Sequence, residues 1–82
     1  MELEQKVMDL IRSNIEKKYA VTLESDLLQD LEVDSFGTIM IVNAIEDEFG
    51  ITVEEADIKG LVTVADIVGL LKTKYSVSTE SL

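Results

Sequence analysis

The fold is decided by residues 31–49, which read Leu31-Glu32-Val33-Asp34-Ser35-Phe36-Gly37-Thr38-Ile39-Met40-Ile41-Val42-Asn43-Ala44-Ile45-Glu46-Asp47-Glu48-Phe49. The first residues have the composition of a loop, and apolar residues then recur at helical spacing. We predict a helix that begins at Ser35 or Phe36 and ends at about Phe49, before Gly50. Either Asp34 or Ser35 is expected to cap it.

This predicted helix is apolar on two faces. Its first stripe suits a protein core and consists of Thr38, Ile41, Val42, Ile45 and Phe49. Its second stripe has the spacing i, i+3, i+4, i+7 and consists of Phe36, Ile39, Met40 and Asn43. One buried stripe is enough for a helix to fold, so the second predicts a contact surface, with packing beneath the preceding loop as the alternative.

Three acids, Glu46-Asp47-Glu48, stand at the negative end of this helix, where negative charge is unfavourable. Their placement suggests that something else in the protein or in a partner uses these carboxylates.

The other segments are predicted as packing partners of the central helix. Apolar spacing indicates a first helix from residue 3 to about 18, closed by Lys17-Lys18. A long loop follows, pinned by its leucines, Leu28 among them, with a helical turn near residues 27–31. Residues 51–53 are expected to be extended, residues 54–59 to form a short helix or turn, and a capping box at Thr63 to start a last helix that ends near Lys74.

With 82 residues the chain is expected to form one domain. The fold class is therefore predicted as all-α: a small four-helix bundle of three long helices and one short helix, with a long loop between helices 1 and 2. The folded domain is expected to span residues 1–75, and residues 76–82 to form a disordered tail.

The composition disfavours several functions. The chain has neither Cys nor His, so it lacks the usual nucleophilic pairs, and we expect no catalytic residue, no metal site and no enzyme. No apolar run is long enough to span a membrane, and no targeting motif is visible, so the cytoplasm is the expected location. Eleven acids and no base lie between Tyr19 and Ile58, which predicts repulsion of nucleic acid and anionic lipid, attraction to basic protein surfaces, and a monomer at low salt.

Ser35 is predicted to stand where the free N–H groups at a helix start carry partial positive charge. Such a position suits a phosphoester. The plainer alternative is that Ser35 only caps the helix.

Residues 31–49 closely resemble the prosthetic-group segment of acyl carrier proteins. The resemblance extends to the first-helix stripe, to Asp26-Leu27-Leu28-Gln29-Asp30-Leu31, to Glu46-Asp47-Glu48-Phe49-Gly50-Ile51, and to Leu61-Val62-Thr63-Val64. It implies that Ser35 receives 4′-phosphopantetheine from coenzyme A and that the arm carries an acyl group as a thioester. It also implies that Asp34 helps present the site to the phosphopantetheinyl transferase.

The same resemblance implies a docking face for acyl-transferring or synthase enzymes with basic surfaces. This expected face consists of Phe36, Ile39, Met40, Asn43, Glu46 and Asp47. If the cargo is an alkyl chain, the bundle interior is expected to open and shelter it between Ile41, Ile45, Ile58, Leu61 and Ile67.

Several residues depart from the family pattern. Phe36 replaces the usual Leu, Glu32 stands where Gly is common, and Gly37 and Met40 stand where fatty-acid carriers usually have acids. Fatty-acyl or polyketide cargo is the first expectation. An aminoacyl, peptidyl or D-alanyl carrier is the alternative, because Gly37-Thr38 resembles D-alanyl carrier proteins.

Two further classes of protein fit the sequence less well. An unmodified protein-interaction module would use the second stripe as a helix surface. A calcium loop that begins at Asp30 is disfavoured, because Ser35 and Ile41 occupy the positions where that loop needs Gly and Glu.

Overall fold

The computed structural model describes residues 2–15 and 20–77. Within these ranges the chain forms four helices: α1 (Glu2–Ser13), α2 (Ser35–Phe49), α3 (Glu55–Lys59) and α4 (Val64–Thr73). The described part contains no β-strand, only an isolated bridge between Asp26 and Thr63. The predicted all-α bundle with a long loop between helices 1 and 2 is therefore confirmed. The predictions for residues 16–18 and 78–82 lie outside the described residues.

The core is built where α1, α2 and α4 meet. Each of these helices turns one apolar stripe inward, and burial of that surface is the main favourable term in folding. The buried apolar side chains of the three helices are Leu3, Val7, Ile11, Ile41, Val42, Ile45, Val64, Ile67, Val68 and Leu71. Of the predicted core stripe of α2, Ile41, Val42 and Ile45 are buried as expected, and Thr38 and Phe49 are half-buried.

The loop between α1 and α2 packs against the same core through buried Val21, Leu27, Leu31 and Val33. The turn predicted near residues 27–31 is confirmed, because the Asp30 and Leu31 N–H groups both donate to the Asp26 carbonyl. The prediction that Leu28 helps to pin the loop is wrong. It is largely exposed on this turn.

Helix α1 is shorter than predicted and ends at Ser13 instead of about residue 18. Two polar side chains bond back to the last turn: Ser13 Oγ donates to the Asp9 carbonyl, and Asn14 Nδ2 donates to the Leu10 carbonyl. The Asn14 N–H also bonds the Ile11 carbonyl in a tight i→i+3 turn. Ser and Asn compete in this way with a continuing helix, which explains the early end.

The predicted start of the last helix is confirmed as a capping box. Thr63 Oγ1 accepts from the Asp66 N–H at 3.2 Å, and an Asp66 carboxylate oxygen accepts from the Thr63 and Val62 N–H groups at 3.0 Å each. These backbone donors lower the pKa of Asp66 below its ordinary value. The capping box therefore stabilises the fold at pH values above the ordinary pKa of an aspartate. This contribution is lost as the pH falls through the lowered pKa of Asp66.

The left-handed backbone at Glu32, in the loop before α2, can be tested by substitution. Its φ of 54° is left-handed, a conformation that costs a residue with a Cβ about 1 kcal/mol and costs glycine little. We expect Glu32→Gly to have a larger free energy of unfolding than Glu32→Ala by about 1 kcal/mol. The alanine variant is the matched control, because both changes remove the same side chain. Urea denaturation measures the difference, and equal stabilities would show that residue 32 is not left-handed in solution.

Candidate functional site

Asp34 and Ser35 have different roles at the start of α2. Asp34 is the N-cap: its Oδ1 accepts from the Gly37 N–H at 2.8 Å, and its carbonyl accepts from the Thr38 N–H and hydroxyl. This decides between the two caps that the sequence left open. Ser35 is the first helical residue and is exposed, and its hydroxyl has no hydrogen bond to any residue that the structure describes. The serine oxygen is therefore available for chemistry with another molecule.

Backbone donors surround this serine. The first N–H groups of a helix have no acceptor within the helix, and the Asp34 side chain satisfies only that of Gly37. The Ser35 and Phe36 N–H groups have no acceptor within residues 2–15 and 20–77. They leave partial positive charge beside the serine, which favours an anionic group there.

A groove of about 750 Å³ opens beside Ser35. The α1–α2 loop, the first turns of α2, helix α3 and the segment before α4 form its walls. The apolar side chains that line it are Leu27, Leu28, Val33, Ile39, Ile58, Leu61 and Val62. Of the residues predicted to shelter a cargo, Ile58 and Leu61 lie on this groove. Ile41, Ile45 and Ile67 do not line it and are buried in the core.

Polar contacts from the end of α4 hold the α3 wall of the groove. Lys74 Nζ lies 2.6 Å from a Glu54 oxygen and 2.8 Å from an Asp57 oxygen. The Tyr75 hydroxyl donates to Asp57 at 2.8 Å and accepts from the Glu54 N–H at 3.0 Å. The Lys74 and Tyr75 donors lower the pKa of Asp57, and its carboxylate in turn raises the pKa of Lys74. Since α3 has no buried residue, these contacts are a main part of its attachment.

The second stripe of α2 faces solvent. Phe36, Ile39, Met40 and Asn43 are all exposed, so the loop before α2 does not cover them. The alternative in which this stripe packs beneath the loop is therefore wrong.

Two of the three acids at the end of α2 have partners within the fold. A Glu46 carboxylate oxygen accepts from the Val53 N–H at 2.8 Å, which secures the chain after the Gly50 turn. Glu48 lies 2.8 Å from Lys6 Nζ of α1. Asp47 is exposed and has no ion-pair or hydrogen-bond partner among residues 2–15 and 20–77. The sequence could not reveal these pairings, because they depend on how α1 and residues 51–53 pack against α2.

Gly37 lies where the loop before α2 approaches the helix closely. A Cβ at this position would lie 3.0 Å from Val33 Cγ1, whereas one on Gly69, within α4, meets nothing within 4 Å. Alanine is favoured over glycine in a helix by about 1 kcal/mol. We expect Gly69→Ala to raise the free energy of unfolding by up to that amount, and Gly37→Ala to bring no gain. Urea denaturation of the pair provides the test, and an equal gain at both positions would contradict the tight packing of Val33.

Comparison with known proteins identifies the family of this chain. The chain matches the family described as "Phosphopantetheine attachment site" over residues 5–71. It is similar to the acyl carrier proteins of Rickettsia canadensis (strain McKiel), Rickettsia massiliae (strain Mtu5) and Rickettsia prowazekii (strain Madrid E). Each is 32% identical over 75 residues, which cover 90% of this chain and 87% of the relative.

The fold and these matches define a phosphopantetheine-dependent carrier. The chain belongs to the acyl carrier protein family, whose members bear a covalent phosphopantetheine group and act as carriers. No helix among the described residues is long and apolar enough to cross a membrane. Within the same ranges, no cluster of His, Cys, Asp or Glu has a composition and geometry that would hold a metal ion.

Proposed function

We propose that the chain carries acyl intermediates as thioesters on a 4′-phosphopantetheine arm attached to Ser35. It delivers them to partner enzymes of fatty-acid or polyketide-type biosynthesis in the cytoplasm. Residues 1–75 form the carrier domain, which acts as a monomer and contributes no catalytic residue of its own. The observation that carries this proposal is the exposed, unbonded hydroxyl of Ser35 beside an apolar groove.

The residues around Ser35 fit such a group. The Ser35 and Phe36 N–H groups would bind the phosphate, and the groove would take part of the arm or its cargo. The bound group supplies the thiol that this chain, without Cys, does not have. Asp34 keeps the first turn of α2 in shape and so presents the serine to the phosphopantetheinyl transferase.

The docking face of the carrier comprises Phe36, Ile39, Met40, Asn43, Glu46 and Asp47. Its members lie along one side of α2 below Ser35, so an enzyme bound there would have its active site near the arm. The exposure of the apolar members supports this role. Partners are the phosphopantetheinyl transferase and acyl-transferring or synthase enzymes.

Incubation with coenzyme A, magnesium and a broad-specificity phosphopantetheinyl transferase tests this function. Intact mass spectrometry is expected to show a single phosphopantetheinyl addition, and fragmentation is expected to place it on Ser35. An unchanged mass under conditions that load a reference carrier would contradict the proposal. So would an addition at another residue.

The apolar lining of the groove favours acyl over aminoacyl cargo. We expect a medium-length acyl chain on the arm to shift the methyl NMR signals of Ile58 and Leu61 much more than an alanyl group does. Ile67, buried elsewhere in the core, is the internal control. Equal, small shifts with both cargoes would favour the aminoacyl or D-alanyl alternative.

A further inference from the structure

Lys59 is unusual among the basic side chains that the structure describes. The chain has seven bases and 17 acids, and Lys17 and Lys18 lie outside the described residues. Four of the other five bases form ion pairs: Lys6 with Glu48, Arg12 with Asp9, Lys72 with Glu4, and Lys74 with Glu54 and Asp57. Lys59 has no ion pair or hydrogen bond with any residue in 2–15 or 20–77. Carboxylates are abundant in this chain, so a shortage of them does not explain the unpaired base.

Lys59 lies on the groove beside Ser35. It is the last residue of α3 and is exposed, and both Lys59 and Ser35 line the groove. Among the described residues that line the groove, it is the only base. The negative end of α3 offers it little, because this helix has only five residues and its Asp57 and Ile58 carbonyls already accept from backbone N–H groups. The role of Lys59 is therefore not explained by its own helix.

Three carboxylates also line the groove, and backbone donors compensate two of them. Asp26 Oδ1 accepts from two N–H groups at 3.0 and 2.8 Å, and Asp34 Oδ1 accepts from that of Gly37 at 2.8 Å. Glu55 is the third and precedes Lys59 by four residues on α3, a spacing at which Glu and Lys can pair. The two side chains nevertheless form no ion pair. The groove therefore contains a positive charge that none of its own carboxylates binds directly.

The arm expected at Ser35 would bring an anion to this groove. A phosphodiester has one negative charge, shared between its two unesterified oxygens. The free N–H groups of Ser35 and Phe36 supply only partial positive charge, so the phosphate still attracts a full cation. A lysine suits this role, because its ammonium is a compact charge on a flexible stem and a common ligand of phosphate.

We propose that Lys59 is a positioning residue that pairs with the phosphodiester of the arm across the groove. The inference rests on the proposed attachment at Ser35 and adds a residue from a different helix to that site. The pair would join α3 to the start of α2 once the protein is loaded. Loading would then strengthen the attachment of α3, which has no buried residue.

Phosphorus NMR of the loaded protein tests this pair. Each variant is loaded with coenzyme A, magnesium and an excess of transferase, and intact mass confirms complete loading. At about 20 mM NaCl, Lys59→Gln is expected to move the phosphodiester signal and Lys59→Arg to leave it near the wild-type position. About 500 mM NaCl should remove most of the difference, since salt screens an exposed pair. Lys6→Gln makes the same change in net charge on α1, outside the groove, and is the matched control that should not move the signal.

Hydrogen exchange measures the effect on α3. The Gly60 and Leu61 N–H groups bond the last turn of this helix. In the wild type, they should exchange about two- to fivefold more slowly after loading, as expected for one exposed ion pair. Loaded Lys59→Gln should show no such slowing, and circular dichroism should show that it keeps the fold, because the side chain is exposed.

A pair between Lys59 and the phosphate is excluded if wild type and Lys59→Gln give the same phosphorus signal at low salt. Equal displacements in Lys59→Gln and Lys6→Gln would also overturn it, since they would reflect only the overall charge of the protein. An effect of Lys59→Gln on exchange that is as large before loading would assign Lys59 to Glu55 instead. Wild-type protein that gains neither mass nor a phosphorus signal is a different result, which removes the carrier function and this inference with it.

Discussion

Ser35→Ala is expected to abolish loading by the phosphopantetheinyl transferase and to leave the fold unchanged. The variant lacks the oxygen that the proposed phosphoester needs. The fold does not depend on that oxygen, because the cap of α2 is the Asp34 carboxylate, 2.8 Å from the Gly37 N–H. Intact mass spectrometry after incubation with coenzyme A measures the loss, and thermal melting measures the fold.

Ser13→Ala is the matched control for this variant. Ser13 is also an exposed helical serine, but it lies at the end of α1 and bonds the Asp9 carbonyl. We expect it to load like the wild type. A mass gain that persists in Ser35→Ala would place the arm on another residue and would contradict the proposed function.

Ile45→Ala is expected to have the largest effect on stability. Ile45 is 2% exposed in the core between α2 and its neighbours, and truncation of such a side chain leaves a cavity. The expected loss is about 2–5 kcal/mol. An 82-residue domain has a total stability on the order of 4–12 kcal/mol, so this single change removes a large part of it.

Urea denaturation with two controls makes this prediction specific. Ile45→Val removes one methyl group and should cost about 1 kcal/mol. Ile39→Ala removes the same atoms as Ile45→Ala from the exposed stripe of the same helix and should change stability by less than about 0.5 kcal/mol. A similar loss at positions 39 and 45 would contradict the assignment of the two faces of α2.

The elements that could be predicted are those with local signals. Asp34, Gly50 and the Thr63–Asp66 capping box fix helix ends within a few residues of sequence, and all three act as expected. The predicted end of α1 is wrong because the apolar spacing continues through Ile15. The hydrogen bonds of Ser13 and Asn14 to the last turn outweighed that pattern.

The parts of the site that could not be predicted depend on distant segments. The exposure of Leu28 follows from the direction of one turn, and the engagement of Glu48 follows from the position of Lys6 on another helix. Glu46 meets Val53 only after the chain reverses at Gly50, where φ is 66°. The spacing of residues along the sequence does not indicate these long-range contacts.

Glu32 and Gly37, which both depart from the family pattern, differ in their structural basis. Glu32 occupies a left-handed backbone that glycine would adopt at lower cost, so nothing in the backbone favours this residue. Gly37 has a steric reason, since a Cβ at this position would lie 3.0 Å from Val33 Cγ1. An acid at residue 37 would therefore require the Val33 side chain to shift by a few tenths of an ångström.

The α3 wall of the groove is held less firmly than the other walls, because its attachment is mainly polar. Helices α1, α2 and α4 share a core, so a displacement of any of them would open a cavity. Helix α3 buries no side chain, and Lys74 and Tyr75 hold it through contacts that water can replace. Widening the groove on that side would exchange these polar partners and expose the half-buried Ile58, whereas a shift of α1, α2 or α4 would disrupt fully buried side chains. If the chain carries acyl groups as proposed, cargoes of different length would be accommodated on this side, away from the frame that holds Ser35.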